Sequence, residues 1–173
     1  MKINQLDEII KEIWLKEIQK DYNDGLILNE DTLKNVLYHH LRSHLEKSFE
    51  LNNFVIYTEC TKYGFSTIHT RPDMIIVEKA TQKIVAVFEI KYKTIRNSRV
   101  EGAVYYDFDK VKEYINTLDS VHSKCNYYIA AITLGEYNRP NWLDGRSKWA
   151  KGRVNELIAY EPNKTLSFQI IPH

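Results

Sequence analysis

The chain has 173 residues, 43% of them hydrophobic and 27% charged. This is the composition of one soluble globular domain, long enough to bury a core without disulfides or a structural metal. Lys and Arg number 24 against 23 Asp and Glu, a net charge of +1, which excludes a globally basic nucleic-acid binder and leaves local charge to be read.

The two cysteines, Cys60 and Cys125, exclude a secreted disulfide scaffold and have no zinc spacing. The first twenty residues interleave charged with apolar positions, unlike a secretory signal peptide. No run reaches the roughly 18 apolar residues of a membrane span. The expectation is a cytoplasmic protein with no membrane association.

Leu6, Ile9, Ile10, Ile13 and Trp14 are spaced for a helix over 3–19, which a break at 21–25 ends. Asn29 reads as an N-cap with Glu30 and Asp31 in the first turn. Leu33, Val36, Leu37, His40, Leu41, His44 and Leu45 then continue an amphipathic helix over 30–48. Strands are predicted at 53–60, 72–78 and 83–91, the last two joined across residues 79–82. Residues 92–102 read as basic and irregular. Val104, Phe108, Val111, Ile115 and Leu118 predict a helix over 103–119, and 126–133 reads as a buried strand. A basic, Trp-containing segment follows, then two strand-like runs, RVNELIAY and TLSFQIIP. The fold class is mixed α/β around one sheet.

The hairpin carries the chemistry. If 72–78 and 84–90 pair antiparallel about Thr81, residues whose numbers sum to 162 face each other, and Asp73 meets Glu89. Two carboxylates with Cβ atoms about 5 Å apart are destabilising unless something offsets them. A divalent hard cation with oxygen ligands does so. Lys91, two residues on, points to the same side as Glu89. In this register Val85, Val87, Glu89 and Lys91 share one face, and Ala86, Phe88 and Ile90 the other. Both faces begin apolar, so the charges stand at the end of a strand buried on both sides. At about 100° per residue, Glu30 falls on the stripe of Leu33, Leu37 and Leu41, an unusual place for an acid that also suits the helix dipole.

Pro72-Asp73, fifteen residues, then Glu89-Ile90-Lys91 resembles the PD-(D/E)XK nuclease superfamily. The element order over about 28–133 resembles the αβββαβ core of its restriction-endonuclease-like fold. The resemblance implies a single domain, 1–173, with a mixed central sheet flanked by helices, an N-terminal helix (1–27) as decoration and a β-rich C-terminal extension (134–173). It implies metal ligation by Asp73, Glu89 and the Ile90 carbonyl, with Glu30 binding the metal or a metal-bound water. Lys91 would be the catalytic lysine. The metal would be Mg²⁺, with Mn²⁺ substituting. Asp107 and Lys110 loosely resemble polar residues that some members carry on the second core helix.

Lys91, Lys93, Arg96 and Arg99 have no acid among them, a local +4 beside the proposed site. Lys93, Arg96 and Arg99, with Arg71 before the motif, are candidates for sequence-independent phosphate contacts. His69 shares that loop. Arg139, Arg146, Lys148, Lys151 and Arg153 against Asp144 make a second +4 patch, with Trp142 and Trp149 placed either to stack on bases or to anchor the tail. His40 and His44 have i, i+4 metal spacing but no evident acidic partner, and read as satisfied core histidines. The functional expectation is a metal-dependent endonuclease acting on DNA, with a homodimer or protein partner as the source of target selection. The rivals are a non-catalytic or partner-dependent nucleic-acid-binding module on the same fold, and an interaction protein whose charged hairpin is coincidental. The N-terminal helix is either an interaction surface or packed on its own core.

Overall fold

The computed structural model describes residues 2–49, 51–63, 71–94, 100–118, 125–135, 148–162 and 165–173. The first helical run comprises α1 (Lys2–Glu12), a π-helical stretch (Ile13–Ile18) and α2 (Gln19–Asn23). It is followed by α3 (Glu30–Lys47), β1 (Phe54–Thr58), β2 (Met74–Glu78), β3 (Lys83–Thr94), α4 (Val100–Leu118), β4 (Asn126–Leu134), β5 (Val154–Tyr160) and β6 (Ser167–Pro172). The six strands lie side by side in sequence order. β1–β2, β2–β3 and β5–β6 pair antiparallel, while β3–β4 and β4–β5 pair parallel. The parallel β3–β4 step requires a crossover, which α4 supplies.

Each face of the sheet is covered by helices. On one, Leu6, Ile10, Ile13, Trp14 and Ile18 join Leu33, Leu37, Leu41 and Leu45 of α3 against Met74, Ile76, Phe88, Ile90, Tyr128 and Phe168. On the other, Phe108, Val111, Tyr114, Ile115 and Leu118 of α4 pack on Ile75, Val77, Val87, Tyr127 and Ile129. β2 and β4 are therefore apolar on both sides and read as near-continuous hydrophobic runs, while β5 is equally buried but carries Asn155 and Glu156 within it.

The expected hairpin register holds at the end that matters. Met74 faces Phe88, Ile75 faces Val87 and Ile76 faces Ala86, all summing to 162. A bulge between Ile76 and Val77 shifts the turn end by one residue. The face assignment of β3 is corrected there: Val85 joins Ala86, Phe88 and Ile90 in the core under α3, and Ile84 takes the place beside Val87. A bulge turns one side chain over without disturbing those beyond it.

Two further expectations are corrected and one open alternative is decided. The segment after Lys91 is not irregular from 92, because β3 continues to Thr94 and carries Lys93. Of the two readings of the N-terminal helix, packing on its own core is the one seen: Trp14 is fully buried, its ring centroid 5.4 Å from that of Phe168. His40 and His44 do have acidic partners. The ring nitrogens of His40 lie 2.7 Å from Glu17 and 2.6 Å from Asp21, and His44 Nε2 lies 2.7 Å from Glu17. These partners come from the first helical run, across a helix–helix contact that local spacing does not reveal. Trp149 packs against the α4-side core, as an anchor would. Trp142, Arg139 and Arg146 lie outside the described residues. No helix among the described residues is long and apolar enough to cross a membrane.

A candidate carboxylate and lysine centre

The site is assembled from four elements. Asn29 caps α3, its Oδ1 accepting from the Thr32 amide at 2.9 Å while Thr32 Oγ1 accepts from the Asn29 amide at 3.0 Å. This capping box fixes where the helix starts, and so aims Glu30 and, one turn on, Lys34. Asp73 precedes β2, one step beyond the Met74–Phe88 pair and thus opposite Glu89. Its Oδ2 accepts the Ile90 amide at 2.7 Å, which clamps the carboxylate onto β3. Ile90 thus meets the site through its main chain, while its side chain belongs to the opposite core.

Glu89 and Asp107 are fully buried. Tyr114 Oη donates to Glu89 Oε1 at 2.8 Å, and Lys110 Nζ donates to Oε2 at 2.8 Å. Lys110 Nζ also lies 3.2 Å from Asp107 Oδ1, without the alignment of a hydrogen bond. Neither oxygen of Asp107 has a hydrogen-bond partner. Lys91 Nζ stands 3.4 Å from Glu30 Oε1 and 3.7 Å from Asp107 Oδ2, bridging the start of α3 and the middle of α4. Lys34 Nζ is 2.6 Å from Glu59 Oε1 and 3.8 Å from Asp73 Oδ1. Glu59 has φ +50° and donates its amide to the Asp73 carbonyl. That left-handed position is costly outside glycine and marks a strained turn at the rim.

The electrostatics follow from burial. Loss of water pushes the Glu89 carboxyl up to about 7; Asp73 pushes the same way, and Lys110 opposes both. Burial likewise raises Asp73, against the Ile90 amide and Lys91 and Lys34, and raises Asp107 against Lys91 and Lys110. Burial works against the charge on Lys110, but Glu89 and Asp107 outweigh it and hold the ammonium above its usual range. Lys91 is raised in the same way, by Asp107, Glu30 and Asp73 against burial. Carboxylates displaced upward by burial, beside ammoniums that those carboxylates hold charged, mark a desolvated ion cluster of the kind that functional sites contain.

Compared with known protein families, with curated proteins and with solved structures, the chain matches none. Its site is therefore read from its own geometry.

Four of the expected residues, Glu30, Asp73, Glu89 and Lys91, are brought together. Lys93 lies further along β3, and Arg71 is exposed just before Asp73. Arg96, Arg99 and His69 lie outside the described residues. Sequence reasoning missed Lys34, Glu59 and Tyr114 and gave Asp107 and Lys110 little weight. A helical reading had the signal, since Lys34 is one turn from Glu30, and Asp107, Lys110 and Tyr114 share one face of α4. Among the described residues no group of three or more His, Cys, Asp and Glu side chains closes on one ion; ammonium groups stand between the carboxylates instead. The chemistry of the donor set, carboxylate oxygens of Asp73, Glu89 and Asp107, the last without an aligned hydrogen bond, fits a cation with hard oxygen ligands. A cleft of about 400 Å³ between α3 and β1, lined by Tyr38, Arg42, Phe54 and Ile56, includes none of these residues.

Proposed function

We propose that this chain is a divalent-metal-dependent nuclease of the restriction-endonuclease-like fold, an endonuclease hydrolysing phosphodiester bonds in DNA. One observation carries the reading. Glu30, Asp73, Glu89 and Lys91 come from three separate elements and meet at one end of a buried hairpin, with Asp107 beside them. Glu89 and Asp107 are fully buried with Asp73 beside them, a costly concentration of carboxylates for a folding core, and a divalent cation would answer their mutual repulsion. The αβββαβ order of α3, β1, β2, β3, α4 and β4, with β4 parallel to β3, is in keeping with that fold.

In this reading Asp73 and Glu89 hold Mg²⁺, or Mn²⁺ in its place, with the Ile90 carbonyl, while Glu30 orients from the first turn of α3. The ion supplies Lewis-acid stabilisation of the phosphate and a more acidic water. Asp73 is kept in place by the Ile90 amide, and Glu89 by the Tyr114 hydroxyl. Lys91, fixed between Glu30 and Asp107, offers a positive charge to the oxygen on which negative charge develops. Lys93, Arg71, Arg96 and Arg99 are the candidate contacts to phosphates on either side. DNA as the substrate rests on the resemblance of the motif.

The test is cleavage of linear, supercoiled, single-stranded and branched DNA in Mg²⁺, Mn²⁺ or EDTA, by the wild type and Lys91→Ala. Metal-dependent cutting that falls roughly 100-fold or more in the variant is expected, the usual scale for loss of a charge-stabilising group. Equal cutting by both proteins, or cutting that persists in EDTA, would overturn the assignment. Metal binding without any cutting would favour the non-catalytic or partner-dependent module.

A further inference from the structure

Lys110 occupies the point where a cation would be most useful. Its Nζ touches Glu89 Oε2 at 2.8 Å and Asp107 Oδ1 at 3.2 Å, and both carboxylates are fully buried. Ammonium and divalent ion are alternatives at such a point, because each neutralises the same oxygens and the two repel each other. Glu89 Oε1 is held by the neutral Tyr114 hydroxyl, which does not compete and which leaves Oε2 as the oxygen in play. Asp107 has no aligned hydrogen bond on either oxygen and is held by ammoniums at longer range, Lys110 at 3.2 Å and Lys91 at 3.7 Å, which leaves both oxygens open to a closer cation. The lysine also has somewhere to go. Its Nζ already lies 5.2 Å from the ring centroid of Tyr106, one turn back on α4 and more than half exposed. Swinging outward over that ring keeps a cation–π contact and moves the charge toward solvent.

We propose that Lys110 is an internal counter-ion that competes with the divalent metal for Glu89 and Asp107, and that Asp107 becomes a metal ligand when the ammonium swings out. The inference rests on the metal-dependent reading above and adds to it both a ligand on α4 and a built-in limit on metal affinity. It makes Lys110 a positioning residue, distinct from Lys91. Lys91 lies farther from its two carboxylates, at 3.4 and 3.7 Å, and has no comparable hold on Glu89.

The experiment is calorimetric titration of Mn²⁺ alone into the wild type, Lys110→Met, Lys110→Gln and Asp107→Asn, with thermal melts of each in EDTA and in Mn²⁺. Both Lys110 variants should bind Mn²⁺ roughly tenfold or more tightly than the wild type, and Asp107→Asn roughly tenfold more weakly, each a change of about one decade in Kd. The Lys110 variants should melt lower than the wild type in EDTA and gain more from Mn²⁺. Lys110→Gln keeps a donor toward Glu89 without the charge, which guards against a simple loss of folding in Lys110→Met. Folding of the variants only in Mn²⁺ supports the competition. Unchanged or weaker binding in both Lys110 variants, or failure of both to fold even with Mn²⁺, identifies a fixed structural ion pair and overturns the inference, while wild-type binding leaves the nuclease reading standing. Unchanged affinity in Asp107→Asn removes it from the ligand set. Absence of Mn²⁺ binding in the wild type ends both readings.

Discussion

Glu89 has no solvent exposure, a neighbouring carboxylate in Asp73 and, among the described residues, one direct cationic partner in Lys110. Its carboxyl is pushed from 4.5 up to about 7, so the folded chain holds a proton that the unfolded chain has already lost. Between pH 4.5 and 7 folding therefore takes up a proton, and stability falls as pH rises. The contribution is complete below pH 4.5 and is lost as pH passes about 7. The displacement corresponds to roughly 3 kcal/mol at 1.36 kcal/mol per pK unit. Asp73 and Asp107 are displaced in the same direction and add to the trend. Urea unfolding in EDTA between pH 5 and 8.5 should show a wild-type protein that weakens as pH rises and a Glu89→Gln variant that weakens less. A difference between the two proteins that does not change with pH would refute this account of Glu89.

A short cap at the start of α3 decides where the site's outer residues point. Asn29 and Thr32 exchange hydrogen bonds, and Thr32 Oγ1 also takes the Leu28 amide at 2.8 Å. Glu30 is the first residue of the helix so defined, and Lys34 lies one turn further. Asn29→Ala should cost about 1 kcal/mol of stability in denaturant unfolding, and Asn29→Asp, which keeps the accepting oxygen, only a few tenths. Equal losses in both variants would mean that the cap does not act through its side chain. This element was legible beforehand, because its signals lie within four residues of one another. So was the Asp73–Glu89 pairing, since alternation and one turn determine it. The bulge at Ile76–Val77 was not, because an extra residue leaves the apolar pattern of β3 unbroken on a strand buried on both faces. The partners of Glu89 were not legible either. Lys110 and Tyr114 reach it across 21 and 25 residues through the packing of α4, a tertiary contact with no local spacing of its own.

The whole molecule joins its two ends over the motif-bearing middle. Leu6, Ile10, Ile13, Trp14 and Ile18 are all buried, and they cover the same face of the sheet as α3. Their contacts run to the other end of the chain as well as to that middle. Trp14 packs on Phe168 of β6 and donates its indole N–H to the Ile158 carbonyl of β5 at 3.4 Å. Tyr128 of β4 donates to Asp7 at 2.6 Å. Removing residues 1–27 therefore uncovers β4, β5 and β6 together, and removing 134–173 strips Trp14 of its neighbours and exposes one side of β4. At about 1.5–3 kcal/mol for each large buried side chain, the five residues of the first helical run contribute roughly 8–15 kcal/mol, as much as the entire stability of a typical domain. A chain cut to residues 28–133 keeps every acid and lysine of the centre, yet is expected to be unfolded. Circular dichroism and urea titration of that fragment should show no cooperative transition, and Mn²⁺ should not restore one. Cooperative unfolding of the fragment would make both ends dispensable and the packing of Trp14 incidental. If the fragment is unfolded, as the shared face requires, the geometry of the centre is a property of the full six-stranded sheet, because Asp73 and Glu89 hold their places only while both helical layers are there.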